Sequence, residues 1–287
     1  MIIEYFNEIY PETLKIIEKP PSRLYAIGNI EILKNYGIAV VGSRCNTKYG
    51  EKVCKQFTQS LVEYNFSIIS GLAIGIDSIA HKTCLENSGK TIAVLPCGLE
   101  NIYPKENINL AKEILKNDGL LITEYEEHVK ADSEKFRERN RIVAGLGIGT
   151  LIIEAGNRSG TSITARHTIL QDKPLFAIPS NLDNIKGKTT NKLIQNGGHL
   201  VTCVEDILRF YPNLKFSKKE IDKKDIYIDI PENLKNVYKV INDEPQDINQ
   251  IARKAKISIS EVSYKTMMLQ IDEKIIELPG QRFIRKD

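Results

Sequence analysis

KFRERNRIVAGLGIGTLIIEAGNRSGTSITAR, residues 135–166, holds a basic segment, an apolar run, a small-residue loop and the opening of a helix in that order. Thr150–Ala155 is apolar without polar alternation, so it reads as a strand covered on both faces rather than a half-solvated one. Gly156–Gly160 follows that strand and leads into a helix at Thr161. Such a loop turns unpaired backbone N–H groups towards an anion, and Ser159, Gly160 and Thr161 are small enough for a phosphate to come close. The preceding segment supplies Phe136, Arg139, Asn140 and Arg141. The same letters also suit a plain N-cap and a solvated arginine face. Both readings stay open at this point.

The strand pattern repeats on either side. GIAVVGS (37–43), FSIISG (66–71), KTIAVLP (90–96), LLITEY (120–125) and PLFAIP (174–179) are further apolar runs bounded by Gly, Pro or Ser. Amphipathic helical segments lie between them, for example TKYGEKVCKQFTQSLVEYN and KENINLAKEILKNDG. Buried strands alternating with helices predict a doubly wound α/β fold, an extended Rossmann-like and mostly parallel sheet. Its binding crevice belongs at the carboxyl ends of the strands.

The residues directly after each strand therefore describe the site. Gly42-Ser43-Arg44 ends the first run, Ser70-Gly71 the second, Pro96-Cys97-Gly98 the third and the SGT loop the fifth. Small residues leave main-chain amides accessible, and the forked guanidinium of Arg44 matches a phosphate, with a helix-capping salt bridge as its alternative. Gly145-x-Gly147-x-Gly149 precedes its strand, whereas a dinucleotide fingerprint must come after one, and GxxxxGK[ST] is absent. No His/Cys spacing suits a metal, no cofactor is implied, and His81, His128, His167 and His199 stand singly. A catalytic constellation is not evident.

Residues 1–37, with Pro20-Pro21 and a short strand at Leu24-Tyr25, read as a lead-in packed on a main domain of residues 38–211. Residues 212–230 turn lysine- and aspartate-rich and read as a linker. In 231–287, helical periodicity resumes with Asp247 and Ser258 as N-caps, and IIELPGQRFIR closes as a hairpin. That order predicts a small winged-helix domain. Its ten Lys/Arg against nine Asp/Glu favour contact with protein over DNA. A formal net charge of +3 means that any nucleic-acid surface arises from local clustering. Five cysteines without a CxxC pair read as buried, reduced thiols of a cytoplasmic protein, and no run is long enough to cross a membrane.

From Tyr10 to Ile207 the chain resembles the DNA-processing protein A (DprA/Smf) family. YPETL, PPSRLY, GSR, SGLAIGIDSIAH, TIAVLPCGLENIYPKEN, FRERNRIVAGL, IIEAGNRSGTSITA and NKLIQNGG occur in the family's order. The resemblance implies a homodimeric, non-enzymatic single-stranded DNA-binding protein. It would protect incoming DNA in natural transformation and help load the RecA recombinase. It further implies that Arg44, Lys135, Arg139 and Arg141 grip phosphates and that Phe136 stacks on a base. Ser70-Gly71 and Ser159–Thr161 would line the same pocket. Departures from the family's pattern are Ser180 after Pro179, Thr189 before Thr190-Asn191, and the acidic EEHVKADSE (126–134). Two other classes compete with this one. Phosphoribohydrolases of related fold carry a loop resembling PGGxGTxxE, but here the loop is AGNRSGTSITA, with Ala165 and no glutamate. The third class is an adaptor acting through the winged helix.

Overall fold

Six strands buried along their whole length form the centre of the fold: β3 (Gly37–Val41), β4 (Ser67–Ser70), β5 (Thr91–Val94), β6 (Leu120–Thr123), β7 (Gly149–Ile152) and β8 (Leu175–Ala177). The structure is a computed structural model that describes residues 1–156, 160–214, 216, 218, 230–242, 244–272 and 274–285. Each strand matches one of the apolar runs of the sequence. β1 (Ile2–Glu4), β2 (Arg23–Gly28) and β9 (His199–Leu200) complete a nine-stranded sheet of order β1-β2-β6-β5-β4-β3-β7-β8-β9. Pairing is parallel from β6 through β9 and antiparallel at β1–β2 and β2–β6. The first residues thus extend the sheet itself. Ile2–Glu4 carried no strand signal because it is short and only Ile3 is buried.

Alternation along each strand feeds two cores. Ile38, Val40, Leu151 and Ile153 point to one face, against Val53, Phe57 and Leu61 of α2 (Lys48–Glu63) and Ile76, Ala80 and Cys84 of α3 (Ile76–Glu86). Ala39, Val41 and Ile152 point to the other. There they meet Ile142 and Val143 of α5 (Ser133–Leu146), Ala165 of α6 (Gly160–Leu170) and Leu14 of α1 (Glu12–Lys15). α4 (Ile108–Lys116) covers β5 and β6 through Leu110, Ala111 and Ile114. α7 (Lys188–Gln195) and α8 (Val204–Leu208) complete this unit. Cys54, Cys84 and Cys97 are buried as expected, but Cys45 is exposed and Cys203 half-buried, because both lie in loops rather than inside a layer.

The chain divides into two compact units, residues 1–219 and 220–287. Phe216 and Lys218, within the stretch read as a linker, belong to the first: Phe216 lies 4.9 Å from Phe66, ring to ring, and Lys218 pairs with Glu63 at 3.0 Å. Most of the rest of that stretch, residues 219–229, lies outside the described residues. The second unit holds α9 (Lys235–Val240), α10 (Ile248–Ala255) and α11 (Ile259–Ile271), followed by β11 (Ile275–Leu278) and β12 (Arg282–Arg285). β10 (Gln246–Asp247) pairs with β12 in a three-stranded sheet. Asp247 caps α10 in a capping box with Gln250, and the Ser258 hydroxyl accepts the Glu261 N–H at 3.2 Å to cap α11.

Candidate functional site

β3 and β7 lie side by side in the sheet, and their onward connections run to opposite faces, β3 to α2 and β7 to α6. Such a switch point opens a crevice outside the strand ends. A cavity of about 740 Å³ occupies it, walled by the segments after β3 and β4, one side of α5 and the start of α6. Two of the site's seams are closed by hydrogen bonds. The Thr161 hydroxyl donates to the Gly42 carbonyl at 3.0 Å, and Asn140 Nδ2 donates to the Gly160 carbonyl at 3.2 Å. The first turns of α5 and α6 both face the cavity, so their positive dipole ends favour an anion there. Among the described residues, the backbone N–H groups of Ser43 and Arg44 meet no protein acceptor.

Ser133, Phe136, Arg137 and Asn140 line one wall, spaced i, i+3, i+4, i+7 along α5. One face of a helix is what that spacing produces. Arg44 is exposed and sits with its guanidinium carbon 4.9 Å from the centre of the Phe136 ring. Tyr103 meets the same ring edge-on at 5.6 Å. The cation–π contact anchors the Arg44 guanidinium at the ring, and among the described residues neither Arg44 nor Arg137 has a carboxylate partner. Asp132 also lines the cavity, but it caps α5 through the N–H groups of Glu134 and Lys135, and the Lys135 ammonium neutralises it. That pairing and the two amide bonds hold its carboxyl below the usual range.

The floor is built differently. Arg139 is 3% exposed and donates to the carbonyls of Gly71, at 2.7 Å, and Val94. Asp77, also buried, accepts the Gly71 N–H at 3.1 Å. Burial pushes the Asp77 carboxyl upward against the opposing pull of Arg139 and of amides at Ala73 and Gly71. Burial likewise lowers Arg139 to about 10, with Asp77 acting in the opposite sense. Ser70 is fully buried, its hydroxyl on the Val40 carbonyl at 2.7 Å.

Gly42, Ser43, Arg44, Gly71, Phe136, Arg139, Asn140, Gly160 and Thr161 therefore meet at one cavity. The rest of the expected set does not. Arg139 reaches the cavity only as its floor, since its guanidinium is spent on main-chain carbonyls. Arg141 is a quarter-turn further round α5 than Asn140 and is held by Glu124 in a two-point ion pair of 2.8 and 2.6 Å. Lys135 turns to Asp132, and Ser70 faces the core. Gripping phosphates therefore does not fit Arg139, Arg141 or Lys135 where they stand. Ser159 lies outside the described residues. Arg137, Tyr103 and Glu154 were not anticipated. Helical phasing from Ser133, at i+3, i+4 and i+7, would have singled out Arg137. Glu154 is buried at the end of β7's apolar run, where its carboxylate accepts the Thr47 N–H at 2.9 Å and the Thr47 hydroxyl at 2.6 Å.

Residues 1–212 match the family of DNA recombination-mediator protein A. The chain belongs to that family. Protein Smf of Escherichia coli is 34% identical over 96% of this chain and 74% of its own length. The DNA processing protein DprA of Streptococcus pneumoniae is 40% identical over 70% of this chain and 71% of its own. The X-ray structure of DNA processing protein A from S. pneumoniae aligns with a TM-score of 0.70 and 38% identity, over 76% of this chain and 74% of that one. The Helicobacter pylori DNA processing protein A, whose structure was described for its unique single-stranded DNA binding mode, aligns at 0.66 and 30% identity, over 73% of this chain and 94% of that one. Among the described residues, no helix of this family member is long and apolar enough to cross a membrane.

Proposed function

We propose that this DNA-recombination-mediator family member binds single-stranded DNA in the switch-point cavity, without catalysis, and so protects incoming strands during transformation and recombination. The observation that carries the reading is the Arg44 guanidinium stacked on Phe136 beside Arg137, which has no carboxylate partner among the described residues. A cationic fork next to a half-buried aromatic ring that lines the cavity is the pairing that sequence-tolerant strand binding needs, one for phosphates and one for bases. A binding role rather than an enzymatic one is supported by the cavity's two carboxylates, which are both engaged structurally. Asp132 caps α5 and Asp77 holds Gly71. Homodimer formation and delivery of the strand to RecA enter the proposal through the family's sequence blocks, and a cytoplasmic setting goes with them.

A mobility-shift comparison of single- and double-stranded oligonucleotides, with Arg44→Glu alongside, tests the reading. Preference for single strands that disappears in the variant is the expected result. Equal binding of both forms, or a variant that binds like the wild type, overturns it. Release of free base from nucleoside monophosphates would replace binding with hydrolysis.

The second unit supports a reading as a winged helix that contacts protein. Three helices followed by the β11–β12 hairpin fit that architecture. On α11, Tyr264, Met267 and Ile271 are exposed at helical spacing, and Lys265 is occupied by Glu261 at 2.7 Å and Asn236 at 3.2 Å. Such a face is poor in groups for phosphates or base edges.

A further inference from the structure

A second cavity, of about 420 Å³, is lined by Tyr49, Pro179, Ser180, Asn181 and Asn184. Tyr49 lies on the first turn of α2, which follows β3, and Pro179-Ser180 follows β8, so this cavity opens at the same carboxyl edge of the sheet as the first. We propose that it is a nucleobase subsite for the strand whose phosphates lie in the first cavity, an inference that rests on the single-stranded DNA reading above. The two cavities share a wall. Lys186, from the turn bounding the second, donates its ammonium to the carbonyl of Cys45, which lines the first. The buried Glu154 carboxylate clamps Thr47 between them by its N–H and its hydroxyl. Arg44 and Tyr49 are five residues apart, so at most ~18 Å of chain separates them. A strand held at Arg44 reaches Tyr49 within a few nucleotides.

The chemistry of the lining divides labour with the first cavity. None of the five lining residues is charged, so the part of a ligand that fits is neutral, as a base is and a phosphodiester is not. The Tyr49 side chain is about half exposed, and its phenol donates to the Pro179 carbonyl at 3.1 Å, which fixes the plane of the ring. A ring so held is a stacking platform, and stacking serves any base. Ser180 is immobilised from behind: its N–H donates to Asn191 Oδ1 at 3.0 Å and its carbonyl accepts Asn191 Nδ2 at 2.8 Å. Asn184 is engaged as well, donating to the Ser180 hydroxyl at 2.9 Å and accepting the Lys186 N–H at 3.0 Å. Asn181 differs. It is exposed, and among the described residues its carboxamide has no partner, which leaves two donors and an acceptor for a base edge.

The test is a fluorescence-anisotropy titration of the full chain with two labelled strands of equal length, one carrying bases and one abasic. Tyr49→Ala should weaken binding of the base-bearing strand by about 5- to 150-fold, the range of one lost stacking contact, and leave the abasic strand unchanged. Tyr49→Phe, which keeps the ring but loses the Pro179 hydrogen bond, should weaken the base-bearing strand less than Tyr49→Ala does. Asn181→Ala, at an exposed position, should lower affinity for the base-bearing strand alone. Equal weakening of both strands by Tyr49→Ala, or none of either, overturns the subsite while leaving Arg44-dependent binding intact. A wild-type chain that binds neither strand overturns the single-stranded DNA reading, and the subsite with it.

Discussion

Arg139 and Asp77, oppositely charged and both buried, hold Gly71 from two sides, Arg139 by its carbonyl at 2.7 Å and Asp77 by its N–H at 3.1 Å. Gly71 is where β4 gives way to the cavity floor, so this clamp fixes the floor. A glycine is required there because a Cβ would lie 2.5–2.8 Å from the guanidinium. Arg139→Leu strips the nearby cation from a buried carboxyl and leaves the buried Gly71 and Val94 carbonyls without their donor, at a cost of about 1–3 kcal/mol for each unsatisfied group. Adding Asp77→Asn should recover part of that loss. Urea unfolding of the two single variants and the double gives the coupling, and strict additivity would show that the charges do not act together.

Arg141 makes the contrasting case. Its two-point pairing with Glu124 is mostly buried, with side chains 13% and 15% exposed, and its Nε also donates to the Lys19 carbonyl at 3.0 Å. Arg141→Ala should therefore destabilise the fold, towards the lower end of ~3–5 kcal/mol because some water reaches the pair. Affinity of the folded variant for an oligonucleotide should not change. A variant of wild-type stability that binds strands poorly would return Arg141 to the binding surface.

Legibility in the sequence depended on the kind of signal each feature leaves. Six strands announced themselves because burial on both faces forces an unbroken apolar run, and all six runs are strands in the sheet. The antiparallel β1 did not, because Ile2–Glu4 buries only Ile3. Within the site, Arg44 was readable from its place directly after a strand. The phosphate-gripping role of Lys135, Arg139 and Arg141 came from the family resemblance, and a shared basic block does not say which way each side chain turns on a helix. Phasing from Ser133 selects Phe136, Arg137 and Asn140 for the cavity wall and turns Arg139 to its floor. Glu154 left no signal beyond one acid closing an apolar run, since its partner Thr47 is 107 residues away in sequence.

His81 makes stability depend on pH. It is buried, and burial first, then the nearby Arg139, hold its pKa at about 3. The Thr91 hydroxyl donates to the Ile68 carbonyl at 2.8 Å, so it accepts from His81 Nδ1 at 2.7 Å. That makes Nδ1 the protonated nitrogen of a neutral ring. A folded pKa below the unfolded one contributes stability that is complete above about 6.5 and is lost as pH falls towards 3. The slope in that window is at most ~1.4 kcal/mol per pH unit for one proton. Asp77, raised by burial, contributes the opposite slope where it titrates. The difference between wild type and His81→Gln therefore isolates the histidine. Unfolding free energies at pH 7, 5.5 and 4.5 should converge as pH falls, and parallel curves would mean that His81 titrates alike in the folded and unfolded chain.

Salt dependence separates the cations that face the cavity from those that do not. Each phosphate neutralised on a single strand contributes about 0.7 to the fall of log affinity with log salt. Arg44 and Arg137 are unpaired among the described residues, so Arg44→Ala and Arg137→Ala should each lower that slope by about 0.7 with little change in stability. Lys135 is already paired with Asp132, and its removal acts indirectly, by baring a carboxylate that lines the cavity. Lys135→Ala should weaken binding at low salt, and Asp132→Asn in the same background should restore it, because the repelling charge is then gone. Arg137→Ala with an unchanged slope would place the strand away from this face of α5. Lys135→Ala that is not rescued by Asp132→Asn would make Lys135 a direct phosphate contact after all.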